Sequence, residues 1–355
     1  MTIKEIREKF INYYQELEYI LVPPSSLIND EEFPGTFLPS LGVTTIDKIL
    51  NSDSESNAYS LVQNCFREID MKNIGNGIHL LFFETVCTFA KNRNFALKIF
   101  TDYISFIKEM GIRVENLSAT FFDGGTISND YIQKDEIGPE LLKQVGLKSD
   151  ALIRCQNKDG VIFSKDRQRG GYRLEIFYNY NGRHIEISTL FLICLEKRGN
   201  HYNFLPENDW ITISATGLER LALILGDLTT IHDIEILSSI KEKITKITNV
   251  DDYTKLNIIS EYIRGFPFLV ATGEKPGSHG RRRIMRKIVR IMLKELNNLQ
   301  INDFALLIPV FETVINYYSD FYKDLTTKKE EIINKCYNIL LNEKVLLGNG
   351  NEESR

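Results

Sequence analysis

Between Ile211 and Gly226 the chain reads Ile-Thr-Ile-Ser-Ala-Thr-Gly-Leu-Glu-Arg-Leu-Ala-Leu-Ile-Leu-Gly. The pattern predicts a strand that turns through Gly217 into a helix with apolar periodicity. Arg220 then falls on the first turn of that helix. A guanidinium held there can pair with an anion lying across the sheet.

The 355 residues are enough for two domains. With 43% hydrophobic and 26% charged residues, a large core is possible and global disorder is excluded. The formal net charge of -5 excludes a basic footprint over the whole surface, so any nucleic-acid contact must be a local patch. Cys65, Cys87, Cys155, Cys194 and Cys336 show no C-x-x-C spacing, and read as buried reduced thiols rather than a zinc site or disulfide framework. The charged start, Met1-Thr-Ile-Lys-Glu-Ile-Arg, is not a signal peptide, and no apolar run reaches the roughly 18 residues of a membrane span. The expectation is a cytoplasmic protein without membrane contact. No internal repeat is visible.

Ile3, Ile6, Phe10, Tyr13, Tyr14 and Leu17 form one helical face, and a strand Tyr19–Val22 follows, ended by Pro23-Pro24. Asn57–Asp70 and Gly75–Phe89 read as β-rich segments, Phe95–Met110 as a helix, Leu117–Phe122 as a strand and Ser128–Val145 as mostly helical. A strand block follows at Gly160–Ser164, Tyr172–Tyr178, Arg183–Lys197 and Trp210–Ser214, with a hairpin turn at Asn181-Gly182. From about Asp233 to Leu347 the pattern is helix after helix, broken near Asn249, Thr272 and Asn297. The predicted class is α+β: an antiparallel-sheet domain over 1–233, an all-helical domain over 234–347 and a frayed tail over 348–355.

The string Thr216-Gly-Leu-Glu-Arg-Leu-Ala222 resembles motif 3 of class II aminoacyl-tRNA synthetases of the alanyl type. Gln63-Asn-Cys-Phe-Arg67-Glu-Ile-Asp70, then Gly75, then His79-Leu-Leu-Phe82-Phe83-Glu84, resembles their motif 2. Each of these residues alone reads equally as a core aromatic or a surface ion pair; the order and spacing carry the resemblance together. It implies a site for ATP and Mg²⁺. Arg67 would hold the α-phosphate and Arg220 the triphosphate, so both would be catalytic cations. Phe83 would stack the adenine, with Asp70 and His79 beside it. Fixed cations of this kind lower the barrier to carboxylate attack on phosphorus.

Further along, Leu174-Glu175-Ile-Phe-Tyr-Asn resembles the family's Glu-Ile-Phe-Tyr-Asp segment, and His184-Ile-Glu186-Ile-Ser188-Thr its Glu-Ile-Trp-Asn strand. Glu186 is the first choice as a metal or ATP ligand and Glu175 the second, since oxygen donors on such strands suit Mg²⁺. The stretch Tyr262–Gly273 with Lys275–Arg290 resembles the family's helical tRNA-recognition region. Arg282, Arg286 and Arg290 are spaced by four and, with Arg281, make a plausible phosphate-binding stripe opposite Ile284, Ile288, Ile291 and Met292.

The resemblance breaks on the amino-acid side. The family's Asp-Thr-Gly-Met-Gly-Leu-Glu-Arg becomes Ile213-Ser-Ala-Thr-Gly-Leu-Glu-Arg220, so an aspartate expected to hold the alanine ammonium falls on Ile213 and a small glycine becomes Ala215. Ser188 and Thr189 replace a tryptophan and an asparagine. From a Cys-containing glycine-proline loop only Asp166 is carried over. The carboxylate pocket is therefore expected to involve Ile213, Ala215, Ser188 and Asp166, and the substrate is not expected to be alanine in the usual pose. The turn Pro276-Gly-Ser-His-Gly-Arg281 lacks the asparagine that helps read a wobble pair in the tRNA acceptor stem, and no room is expected for editing and C-terminal domains.

The leading expectation is a specialised ligase that makes an acyl-adenylate and passes the acyl group to an acceptor: a tRNA end, a carrier-protein thiol or a small amine. The rivals are a truncated alanine–tRNA ligase and a non-catalytic paralogue that binds tRNA or an amino acid. Neither the carboxylate, the acceptor nor the oligomeric state is fixed by the sequence.

Overall fold

Helix α1 (Ile3–Glu16) buries Ile3, Ile6, Arg7, Phe10 and Tyr14, as the opening periodicity requires, and Thr2 with Glu5 forms a capping box at its start. This is a computed structural model; it describes residues 1–40, 43–52, 57–248, 250 and 252–352. After α1 come β1 (Ile20–Val22), α2 (Val43–Ser52), β2 (Ala58–Phe66), β3 (Phe82–Lys91), α3 (Phe95–Glu109), β4 (Leu117–Phe122), β5 (Gly125–Ile127), β6 (Asp130–Ile132) and α4 (Ile137–Gln144). The strand block is β7 (Leu152–Cys155), β8 (Val161–Phe163), β9 (Arg169–Tyr180), β10 (Arg183–Arg198), β11 (His201–Phe204) and β12 (Ile211–Gly217), closed by α5 (Leu218–Leu225). The helical stretch is α6 (Glu235–Thr248), α7 (Tyr253–Ala271), α8 (Gly280–Asn298), α9 (Ile308–Tyr318), α10 (Lys323–Thr327) and α11 (Lys329–Glu352).

The fold is α+β. Its sheet runs β1-β2-β3-β12-β10-β11-β6-β5, with β9 also on β10 and carrying β4 and β8, and β7 beside β4. The long central pairs β10/β9, β10/β12 and β12/β3 are antiparallel. The β9–β10 turn has positive φ at Asn181 (51°) and Gly182 (76°), the backbone that Asn-Gly favours in a two-residue hairpin.

One expectation is corrected and one element is new. The stretch 128–145 is helical only from Ile137: Ser128 and Asn129 take positive φ in the tight turn between β5 and β6, and Asp135 then accepts the N–H groups of Ile137 and Gly138 to start α4. Helix α2 has no counterpart in the sequence reading, yet its Ile46 and Leu50 pack on Tyr59, Leu61, Phe89, Ile211 and Ile213 of the sheet.

Packing divides the chain into two units. The first holds Met1–Pro24, Leu41–Gln63 and Glu84–Asp227; the second holds Ser25–Ser40, Asn64–Phe83 and Leu228–Arg355. Residues 249 and 251, in the expected break after α6, and 353–355, in the expected frayed tail, lie outside the described residues. Cys65, Cys87, Cys194 and Cys336 are buried and Cys155 is partly buried. Among the described residues, no helix is long and apolar enough to cross a membrane.

Candidate active site

In the first unit, β12 delivers the chain through Gly217 into α5, and Arg220 stands on the first turn of that helix. Its guanidinium donates to Glu186 at two points, the carboxylate Oε2 at 3.0 Å and the backbone carbonyl at 2.7 Å. Thr189 Oγ1 donates to the other carboxylate oxygen at 3.1 Å. Burial pushes the Glu186 carboxyl up, but the charge and hydrogen bond of Arg220 outweigh it, so the group sits below the ordinary carboxylate range. On the neighbouring strand, Glu175 pairs with Arg173 at 2.5 Å. Burial raises the Glu175 carboxyl, against the pull of Arg173 and with the push of Glu186. Arg173, Glu175, Glu186 and Arg220 therefore make one electrostatic cluster of alternating sign.

A second anchor of α5 lies one residue earlier. Both oxygens of Glu219 accept the Glu84 N–H at 3.1 Å, and the Glu84 carboxylate takes Nε and Nη2 of Arg7 at 3.0 and 2.6 Å. These side chains are buried. The arrangement ties α1, β3 and the start of α5 together, which fixes where Arg220 begins.

The register across β12, β10 and β9 sets two rows: Ile213–Phe191–Arg173 and Ala215–Thr189–Glu175. Ile213 (4% exposed) and its partly buried neighbours Phe191 and Ala215 pack with α2, so this strip of the face is apolar. Ile213 and Ala215 are thus brought together with Glu175 and Glu186. Two residues expected with them are not. A β-bulge between Glu186 and Ser188 inserts Ile187 and turns Ser188 to the opposite face, where it pairs with Thr216 and its Oγ accepts from Thr216 Oγ1 at 3.0 Å. Asp166 is exposed in the β8–β9 turn, where it accepts from Ser164 Oγ and Gln168 N. Arg169, next to that turn, pairs with Glu196 while Glu175 pairs with Thr189; at about 3.3 Å per residue the turn is about 20 Å away along the strands.

Mg²⁺ is commonly held by one or two carboxylates together with phosphates and water. Glu175 and Glu186, close enough for each charge to act on the other, fit that donor set. Among the described residues no group of three or more His, Cys, Asp or Glu is gathered to hold an ion.

In the second unit, Arg67 follows β2; its N–H donates to Leu81 O at 2.9 Å, and its Nε lies 3.5 Å from Asp70. The Arg67 side chain is 46% exposed. Asn76 Oδ1 accepts the N–H of His79, and its amide nitrogen lies 2.7 Å from the ring Nδ1. Phe82 is fully buried against Phe268, with Arg264 over its ring, whereas Phe83 is only partly buried. Helix α7 holds this strand start: Glu261 accepts the N–H of Leu81 at 2.6 Å and of Phe82 at 2.9 Å. Gly265 lets Phe82 lie against the helix, since a Cβ there would come within 3.0 Å of Phe82 Cβ. Sequence reasoning missed Glu261, whose partners lie some 180 positions earlier in the chain. It also missed Arg173, which the period-two pattern already placed on one face with Glu175.

Three arginines of the basic helix α8 are paired with carboxylates of other segments. Arg281 is a structural clamp, donating to both oxygens of Asp30 at 2.7 and 2.8 Å and to Glu274 at 3.2 Å. Arg286 and Arg290 share Glu343 of α11 at 3.2 and 3.4 Å. Arg282, Arg283, Lys287 and Lys294 are exposed, with Arg283 3.8 Å from Glu68. Ile284, Ile288 and Met292 are buried as expected, and Ile291 only partly.

Comparison with known proteins gives a consistent kinship. The sequence model described as tRNA synthetases class II (A) matches residues 5–340. An alanine–tRNA ligase of Francisella philomiragia is 27% identical over 94% of this chain, and one of Rubrobacter xylanophilus is 25% identical over 94%. The chain spans about 40% of the length of these relatives. Among solved structures, an apo histidyl-tRNA synthetase of S. aureus aligns with a TM-score of 0.40 at 11% identity, over 65% of this chain and 71% of that one.

Proposed function

Because the chain belongs to the class II (A) tRNA synthetases, we propose that it activates a carboxylic acid with ATP and passes the acyl group to an acceptor. The observation that carries this reading is the Arg220–Glu186 lock beside a second, partly exposed carboxylate pair on the sheet. In the reaction a carboxylate oxygen attacks the α-phosphorus, an O–P bond forms, the bond to the β-phosphate oxygen breaks, and pyrophosphate leaves. Arg220 would bind the triphosphate and offset its growing charge, held in place by Glu186 and Thr189. Arg67 would bind the α-phosphate from its partly exposed position, Phe83 would stack the base, and His79 and Asp70 would flank them. Glu186 and Glu175 would hold Mg²⁺, which when bound offsets phosphate charge.

The acceptor is proposed to be the end of a tRNA, with a carrier-protein thiol or a small amine as the other candidates. The exposed basic residues of α8 favour RNA. In this reading 1–233 is the catalytic domain and 234–347 the helical one, in a cytoplasmic protein. Alanine itself is the rival substrate, favoured by the relatives' names. Against it stands Ile213, packed at 4% exposure in an apolar cluster, which offers an ammonium no acceptor. Carboxylate-dependent exchange of labelled pyrophosphate into ATP tests the reading; its absence across a broad panel of acids, alanine included, would overturn it.

A further inference from the structure

Arg173 lies on the same sheet face as the proposed activation site, and nothing in the roles assigned above uses it. It stands in register with Phe191, which stands in register with Ile213, so one row runs from an apolar wall to a cation. With strands about 4.8 Å apart, the ends of that row are about 10 Å apart. The wall is closed by Ile46 and Leu50 of α2. Arg173 itself is 30% exposed and pairs through Nη2 with Glu175. A guanidinium carries five N–H donors in a planar fork, so donors remain for a ligand carboxylate.

The same face offers little to a cationic substrate group. Of the carboxylates on this face, Glu186 is held by Arg220, Glu175 by Arg173 and Asp47 of α2 by Arg169. The intervening residues Ile213, Phe191 and Ala215 are apolar. An ammonium placed there would be desolvated without an uncommitted anionic partner.

We propose that the acid this site activates is a dicarboxylate, whose methylene chain lies against the partly buried Phe191 and Ala215 and whose distal carboxylate is bound by Arg173. This rests on the activation reading above and adds the substrate class to it. Arg173 is a specificity residue in this scheme: it binds the end of the substrate that does not react.

The test compares pyrophosphate exchange supported by succinate and glutarate with that supported by butyrate, valerate and L-alanine. The expected result is a kcat/KM for a dicarboxylate exceeding that for its monocarboxylate counterpart by roughly 10- to 100-fold, the scale of a hydrogen bond to a charged group. Arg173→Gln should collapse that ratio, mainly through KM for the diacid, and Arg173→Lys should restore part of it. Thermal unfolding of both variants checks that the fold survives. A preference for alanine or a monocarboxylate, or an Arg173→Gln loss equal for all acids, overturns the proposal while leaving carboxylate activation standing. No exchange with any acid removes the activation reading instead. Glutarate binding by calorimetry then decides the subsite alone: binding that Arg173→Gln abolishes supports it, and no binding, or equal binding to both proteins, overturns it.

Discussion

Arg220 holds Glu186 by both its carboxylate and its backbone carbonyl, so helix α5 is tied to the bulge of β10 rather than only to a mobile side chain. The charge and hydrogen bond of Arg220 outweigh burial and hold this carboxyl below its ordinary range. Glu186→Gln keeps the shape and an acceptor but removes the charge. The half-saturating Mg²⁺ concentration for pyrophosphate exchange should rise by about tenfold or more. An unchanged Mg²⁺ dependence would take Glu186 out of the metal site.

Glu261 and Arg264 form a fully buried pair that also fixes Leu81 and Phe82. Removing Glu261 takes a buried charge away from Arg264 and leaves the N–H groups of Leu81 and Phe82 without their acceptor. Glu261→Ala should cost about 3–5 kcal/mol in urea unfolding. A loss below about 1 kcal/mol would mean that the pair is not buried in solution as it is here.

Asp135 is wholly buried; its Oδ1 accepts two backbone N–H groups while its Oδ2 has no hydrogen-bond partner among the described residues. Burial pushes its carboxyl up to about 7. The folded form therefore holds a proton that the unfolded form releases near 3.8. Its stabilising contribution is complete below that value and is lost as the pH rises through about 7. Asp135→Asn should accordingly raise the thermal midpoint more at pH 8 than at pH 5. An equal or opposite difference would show that Asp135 is ionised in the fold.

On α8, the charge-carrying face for RNA is expected to be Arg282, Arg283, Lys287 and Lys294, because Arg281, Arg286 and Arg290 are engaged by Asp30, Glu274 and Glu343. Lys287→Glu with Lys294→Glu should weaken tRNA binding and flatten its salt dependence. Arg281→Ala should instead act on stability. If the lysine pair leaves binding untouched, RNA does not lie on this face.

What the sequence revealed depended on how local the signal was. The strand–Gly217–helix unit and the Asn181-Gly182 hairpin are written in adjacent residues, and both form over the expected stretches. The period-two pattern puts Ser188 on the wrong face because a single extra residue, Ile187, reverses the facing of the stretch up to Leu192, and a bulge leaves no mark in such a pattern. Asp166 was misplaced because motif alignment carries no information on how far along a strand a turn falls. The charges of α8 looked free because their partners, Asp30 and Glu343, are about 250 residues earlier and 50 later in the chain. Arg173 shares its sheet face with a predicted ligand, yet only the register with Phe191 and Ile213 gives it a meaning.

The most direct measurement is carboxylate-dependent exchange of labelled pyrophosphate into ATP by the purified protein and by Arg220→Ala. The wild type should support exchange, and Arg220→Ala should lose roughly 100-fold or more while unfolding at a similar temperature, since Arg220 is partly exposed and its partner Glu186 can still reach water. Exchange at wild-type rates in Arg220→Ala, or none in the wild type with any acid, would contradict the account.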